Sequence, residues 1–173
     1  KGITSTNSSK GLKKDDLVIV ILGELDELNC FIGLAKHHLS ANGIKYERIS
    51  KNLLKIQKKL FDIGAELSFL LGKKIKFIKK KDIDLLENEI NFYNKKLTKL
   101  YSFVLPGTGT ENASFHISRA VCRRVERKIV ELNNIYKLNK KSLIYINRLS
   151  DLLFVYARVM TKSLNQKEFL WKD

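Results

Sequence analysis

The sequence predicts an all-α fold, a five-helix up-down bundle, and three observations carry that expectation. Apolar residues recur at helical spacing through most of the 173 residues. No long run alternates apolar with polar residues, as a half-buried strand would. Proline, the strongest helix breaker, occurs once, at Pro106. The length suits one domain that buries its core without disulfide or metal staples, and neither a repeat nor a linker divides it.

The first helix is expected over residues 16–39, with Asp16 as N-cap and Leu25, Leu28, Ile32, Ala35 and Leu39 on one face. Its opening, residues 17–22, is apolar all round, which calls for burial by more than one neighbour, another subunit included. The second helix, 46–71, carries the stripe Ile49, Leu53, Ile56, Leu60, Ile63, Leu67 and Leu70, with Gly72 as its stop. The third, 82–99, opens on Asp82 as N-cap and turns Ile83, Leu86, Ile90, Tyr93 and Leu97 inward. The helical pattern then lapses, and residues 102–107 read as an extended loop through Pro106. A fourth helix follows over 110–133, with Glu111 in its first turn. The fifth covers 140–165, its inner face drawn from Leu143, Ile146, Leu149, Leu153, Tyr156 and Met160. Short connections between five helices make an up-down bundle the simplest arrangement.

Residues 17–22 form the longest apolar run, far too short to span a bilayer, and nothing near the N-terminus resembles a cleaved signal. A cytoplasmic place is expected, or the mitochondrial matrix in a eukaryote. Cys30 and Cys122 lie in helical patterns and read as reduced core or near-core thiols. The net charge of +15 comes mostly from lysines scattered end to end rather than gathered in a binding stripe. Arginine behaves differently. Of seven, four (Arg119, Arg123, Arg124 and Arg127) fall within nine residues, and Arg148 and Arg158 follow on the next segment. Planar guanidinium forks suit phosphate and buried carboxylate.

Arg119, Arg123 and Glu126 are four and three residues apart and so share a helical face over two turns. They can converge on one ligand, or form a surface ladder of charge pairs. Asp26, with Glu27 and Asn29, makes an acidic turn off the apolar stripe of the first helix, either solvated or partnered with an arginine elsewhere. Asn147 and Asp151, one turn apart, are a third candidate. His37, His38 and His116 show no ligand-like spacing, so no protein-held transition metal is expected, and no triad of nucleophilic catalysis can be assembled. Lys1, Gly2, Ile3, Thr4 and Ser5 are small and polar, as in a phosphate-cradling loop or a flexible tail, and do not form a Walker loop.

Taken in order, these fragments resemble the PduO-type cob(I)alamin adenosyltransferases. The resemblance rests on KGITS at residues 1–5, the end of a TGDKGxTS-like loop, on GELDELNCFIGLA at 23–35 and on LFDIGAEL at 60–67. It continues with FVLPG at 103–107, HISRAVCRRVER at 116–127 and INRLSDLLFVYAR at 146–158. It departs from the family pattern at residues 107–111, GTGTE, where a shorter Gly-Gly-Ser or Gly-Gly-Thr turn is usual.

The resemblance implies one adenosyltransferase domain over 1–173, with 1–15 as a flexible phosphate-binding segment, assembled as a homotrimer with sites between subunits. Its substrates would be ATP, with Mg²⁺, and cob(I)alamin. Arg119 and Arg123 would face the ATP, and Arg119 would also pair with Asp26 of a neighbouring subunit. Glu126 would organise the Mg²⁺ polyphosphate site without a defined protein ligand set, and Asn147 would bond the nucleoside. Lys1, Gly2, Thr4 and Ser5 would lie on the phosphates, and Phe103 would press on the lower corrin face. A reductase or an adenosylcobalamin-dependent acceptor enzyme fits as a further partner; nucleic acid and membrane do not. The alternative from another class is a non-catalytic basic helical bundle that binds nucleic acid or an acidic partner through its lysines.

Overall fold

In the computed structural model, the described residues are 2–5, 12–13, 16–40, 46–69 and 75–172. Five helices follow one another: α1 (Leu17–Ser40), α2 (Glu47–Ser68), α3 (Lys80–Asn94), α4 (Thr110–Ile135) and α5 (Lys140–Ser163). α1 packs on α2 and α4, α4 on α5, and α5 on α3. Before them a two-residue antiparallel ladder pairs β1 (Ile3–Thr4) with β2 (Leu12–Lys13), in the register Ile3 to Lys13 and Thr4 to Leu12. The sequence gives no sign of it, because two residues are too few for alternation to register.

The predicted stripes form the core. Leu25, Leu28, Ile32, Ala35 and Leu39 of α1 are buried, as are Ile49, Leu53, Ile56, Leu60, Ile63 and Leu67 of α2. Ile146, Leu149, Leu153, Tyr156 and Met160 of α5 meet them, with Phe115, Val121, Cys122, Val125 and Ile129 of α4. Leu70 and the Gly72 stop lie outside the described residues. Cys30 is exposed, which corrects its reading as a near-core thiol: it sits off the α1 stripe that its neighbours Leu28 and Ile32 occupy. No helix among the described residues is long and apolar enough to cross a membrane.

The helix starts follow local hydrogen bonding. Asp16 Oδ1 accepts the Val18 N–H at 2.9 Å, as an N-cap does. Asp82 is not the cap of α3, because the helix begins at Lys80, with Lys79 at the cap position. Asp82 instead occupies the third helical position and accepts the Lys79 N–H at 2.9 Å, one arm of a capping box, while the Asp82 N–H bonds the Lys79 carbonyl because the lysine side chain has no acceptor. α3 also stops at Asn94, short of the predicted Lys99, leaving Leu97 in the chain that leads to the site.

Buried polar groups tie the connections down. The Glu66 carboxylate accepts from the Phe77 and Ile78 N–H groups, from Asn139 and from Ser142, joining α2 to the start of α3 and of α5. Asn112, fully buried in the first turn of α4, accepts the Gly107 N–H at 2.9 Å and donates to Ala157 O at 3.1 Å and Thr161 Oγ1 at 2.9 Å. Thr108 bonds Thr161 at 2.7 Å. Gly107 has φ +109°, a left-handed conformation open to glycine. The loop carrying residues 103–107 is thereby fastened to α5 as well as to α4.

Candidate active site

α4 and α5 lie side by side, and their shared edge, with the loop before α4, collects half of the predicted site residues. Arg119, Arg123 and Phe103 line one cleft of about 360 Å³, with Asp151 and Phe154 of α5 on its other wall. Glu126 and Asn147 line a neighbouring hollow one helical turn along, together with Arg148. Asn147 Nδ2 donates to Glu126 Oε1 at 2.7 Å, and Arg148 donates to Asn147 Oδ1 at 2.7 Å. Arg148 pairs with Asp151 at 3.2 Å, so the charges of the hollow and of the cleft belong to one network.

The two arginines of the cleft differ. Arg123 is exposed, whereas Arg119 is half-buried with its guanidinium 5.7 Å from the centre of the Phe154 ring. The Arg119 Nε is buried with no hydrogen-bond acceptor among the described residues. Burial, and secondly the charge of Arg123, pull its pKa below the usual guanidinium value. A buried donor of a charged group without an acceptor is costly, and an arriving anion or carboxylate removes that cost.

Arg124, in the same cluster, points elsewhere. It pairs with Glu27 and, at 3.6 Å, with Glu24 of α1, and so joins α4 to α1. One residue rotates a side chain by about 100° around a helix, which separates Arg123 from Arg124. Arg127 is exposed.

Phe103 stands out from its loop, 78% exposed. Its chain segment runs antiparallel to the C-terminal stretch: Leu105 N donates to Phe169 O at 2.8 Å and Trp171 N to Phe103 O at 2.9 Å. Val104 and Leu170 face each other in that bridge.

Asp26 is exposed on α1 and lines a separate hollow between α1 and α2; no ion pair joins it to Arg119 among the described residues. Gly2 and Ser5 are exposed, and Thr4 ends the short strand β1. Lys1 lies outside the described residues.

The profile of the cobalamin adenosyltransferase family matches residues 1–160. The chain belongs to that family. A cobalamin adenosyltransferase of Cupriavidus metallidurans is 40% identical over 171 residues, 99% of this chain and 89% of the relative. The human corrinoid adenosyltransferase is 34% identical over all of this chain and 71% of its own length. Among solved structures, a variant PduO-type ATP:corrinoid adenosyltransferase of Lactobacillus reuteri complexed with cobalamin and ATP superposes with a TM-score of 0.89. It is 30% identical, over 99% of this chain and 95% of that one. A second variant of the Lactobacillus reuteri enzyme, complexed with ATP, gives 0.87 at 32% identity, over 98% and 95%.

Within this adenosyltransferase frame, several site residues escape sequence reasoning. Phe154 is missed because an aromatic in a helical pattern reads as core. Asp151 was singled out with Asn147, yet its tie to Arg148 depends on the turn of α5. The pairing of residues 103–105 with 169–171 leaves no periodic trace. No group of three or more His, Cys, Asp or Glu among the described residues is placed to hold a metal ion.

Proposed function

We propose that this chain transfers the 5′-deoxyadenosyl group of ATP to cob(I)alamin, forming adenosylcobalamin and releasing triphosphate, as a homotrimer with its sites between subunits. The reaction class follows from family membership. The observation that carries the assignment to this surface is the shared cleft of Arg119, Arg123 and Phe103. Two cations and a protruding phenyl ring on one wall suit a reaction between a polyphosphate and a flat macrocycle.

The step itself asks little covalent chemistry of the protein. The electron pair of Co(I) attacks the ribose 5′ carbon, the cobalt–carbon bond forms, and the bond from that carbon to the triphosphate oxygen breaks. Such a nucleophile needs no general base, in keeping with the lack of a triad. The protein has to hold the two centres in line and stabilise charge growing on the leaving group. Arg123, exposed at the cleft mouth, offers a bidentate fork to the polyphosphate. Arg119, with its unsatisfied Nε, serves the same anion and pairs with Asp26 of a neighbouring subunit. Asn147, held by Glu126 and Arg148, presents a fixed amide to the nucleoside. Gly2, Thr4, Ser5 and Lys1 extend the phosphate site from the N-terminal segment.

Phe103 covers the lower corrin face, where an apolar ring excludes both the axial ligand and water and so favours reduction to Co(I). Mg²⁺ would neutralise phosphate charge when bound with ATP. A site with no protein cage among the described residues, where Asp151 is engaged by Arg148 and Glu126 Oε2 has no hydrogen-bond partner among the described residues, fits an ion that keeps most of its oxygen ligands from phosphate and water.

Support for the trimer comes from groups left over in one chain: the Arg119 donor without an acceptor, the exposed Asp26, and apolar side chains such as Phe61 and Ile117 that face outward. The test is an anaerobic assay with chemically reduced cobalamin, ATP and Mg²⁺, following loss of the Co(I) absorbance and formation of the light-sensitive product. ATP-dependent product is expected. Absence of turnover, with salt-dependent nucleic-acid binding instead, would move the assignment to a basic binding protein.

A further inference from the structure

Arg158 is an arginine inside the bundle, 6% exposed, near the end of α5. Its Nε donates to Glu168 Oε1 at 2.7 Å and its Nη2 to Glu168 Oε2 at 3.0 Å, while Nη2 also reaches Thr98 O at 2.8 Å. Thr98 lies five residues before Phe103, and Glu168 three residues before Trp171. One planar fork therefore holds the roots of both segments that pair at Val104 and Leu170. Beyond those roots, among the described residues, the pairing includes the two hydrogen bonds already described, with the Phe103 and Trp171 rings edge to face at 6.3 Å.

A two-stranded pairing this short is marginal on its own. Burying an arginine and a carboxylate is often no more stabilising than an apolar packing of the same volume. What the fork supplies that an apolar side chain cannot is a fixed distance between two chain segments.

We propose that Arg158 is a positioning residue for corrinoid chemistry: through Glu168 and Thr98 it seats the C-terminal segment against the Phe103 strand and so sets the height and tilt of the Phe103 ring. The inference rests on the reading of Phe103 as the wedge at the lower corrin face. Arg158 touches neither substrate. Its loss acts where that ring matters, most on corrinoids whose lower nucleotide must be displaced.

The test compares the Co(II) forms of cobalamin and of cobinamide, a corrinoid that lacks the lower nucleotide, with a reductant too weak to make Co(I) off the enzyme, in the wild type, Arg158→Met, Arg158→Lys and Trp171→Pro. The last removes the N–H that bonds Phe103 O at an exposed position, so it leaves the core intact if Arg158→Met folds poorly. Expected is a loss of about tenfold or more in kcat with cobalamin, a clearly smaller loss with cobinamide, whose lower face holds only water, and an unchanged KM for ATP, with Arg158→Lys intermediate. Equal losses on both corrinoids, or no loss in Trp171→Pro, would overturn the inference. A wild type inactive on both corrinoids would instead overturn the function assigned above.

Discussion

The Arg119 guanidinium packs over the Phe154 ring while its Nε, buried, meets no acceptor among the described residues. A cation placed against an aromatic face and denied a carboxylate is primed for one from outside the chain. If that carboxylate is Asp26 of a neighbouring subunit, Arg119→Ala and Asp26→Ala will not be additive. A double-mutant cycle on kcat/KM is expected to give a coupling of about 1.5 kcal/mol or more. Additive losses would separate the two residues.

Arg123 is exposed and has no ion-pair partner among the described residues. Arg123→Lys keeps the charge and loses the fork, so kcat/KM should fall by about a hundredfold while the thermal midpoint barely moves. An unchanged rate in a folded variant would remove Arg123 from the polyphosphate site.

Arg124, one residue on, provides the contrast. Its side chain is 42% exposed and engaged with Glu24 and Glu27. Arg124→Gln should cost under about 1 kcal/mol of stability in urea melts and leave kcat/KM within about twofold. A large rate loss would mean that the arginine cluster works as one unit.

His116 is buried at 4% exposure, and both of its ring nitrogens lack a hydrogen-bond partner among the described residues. Burial first, and then the nearby Arg119 charge, push its pKa down to about 4, with Glu168 opposing. The unfolded chain, with the ordinary value of 6.5, takes up the proton first as pH falls. The stabilisation is therefore present above about pH 6.5 and is lost progressively toward about pH 4. Urea melts should show about 2 kcal/mol less stability at about pH 5 than at about pH 7, and His116→Phe should flatten that difference. A wild-type curve flat across this range would contradict a buried neutral imidazole.

The helical stripes were legible because one buried side per helix leaves a strong period, as in Leu25, Leu28 and Ile32 of α1. The start of α3 was not: an aspartate such as Asp82 suits both the cap and the third helical position, and the choice between them depends on backbone hydrogen bonding. At the site, the spacing of Arg119, Arg123 and Glu126 placed them along one face. It left open that Phe103 shares the cleft of the first two while Glu126 turns to Asn147, because both facts depend on how a loop and a second helix come alongside. The pairing of residues 103–105 with 169–171 joins chain positions too far apart, over too short a stretch, to be read from sequence.

Asn112 bonds the Gly107 N–H from within the core and is itself held by Ala157 and Thr161. Opening the loop there means breaking a contact deep between α4 and α5, so its C-terminal half cannot fray as surface loops do. The Gly107 amide should exchange its hydrogen with solvent nearly as slowly as the amides of the bundle interior, while the Phe103 ring stays exposed at the tip. The loop thus couples a rigid root to an accessible tip, and catalytic failure on warming should coincide with melting of the whole bundle instead of preceding it.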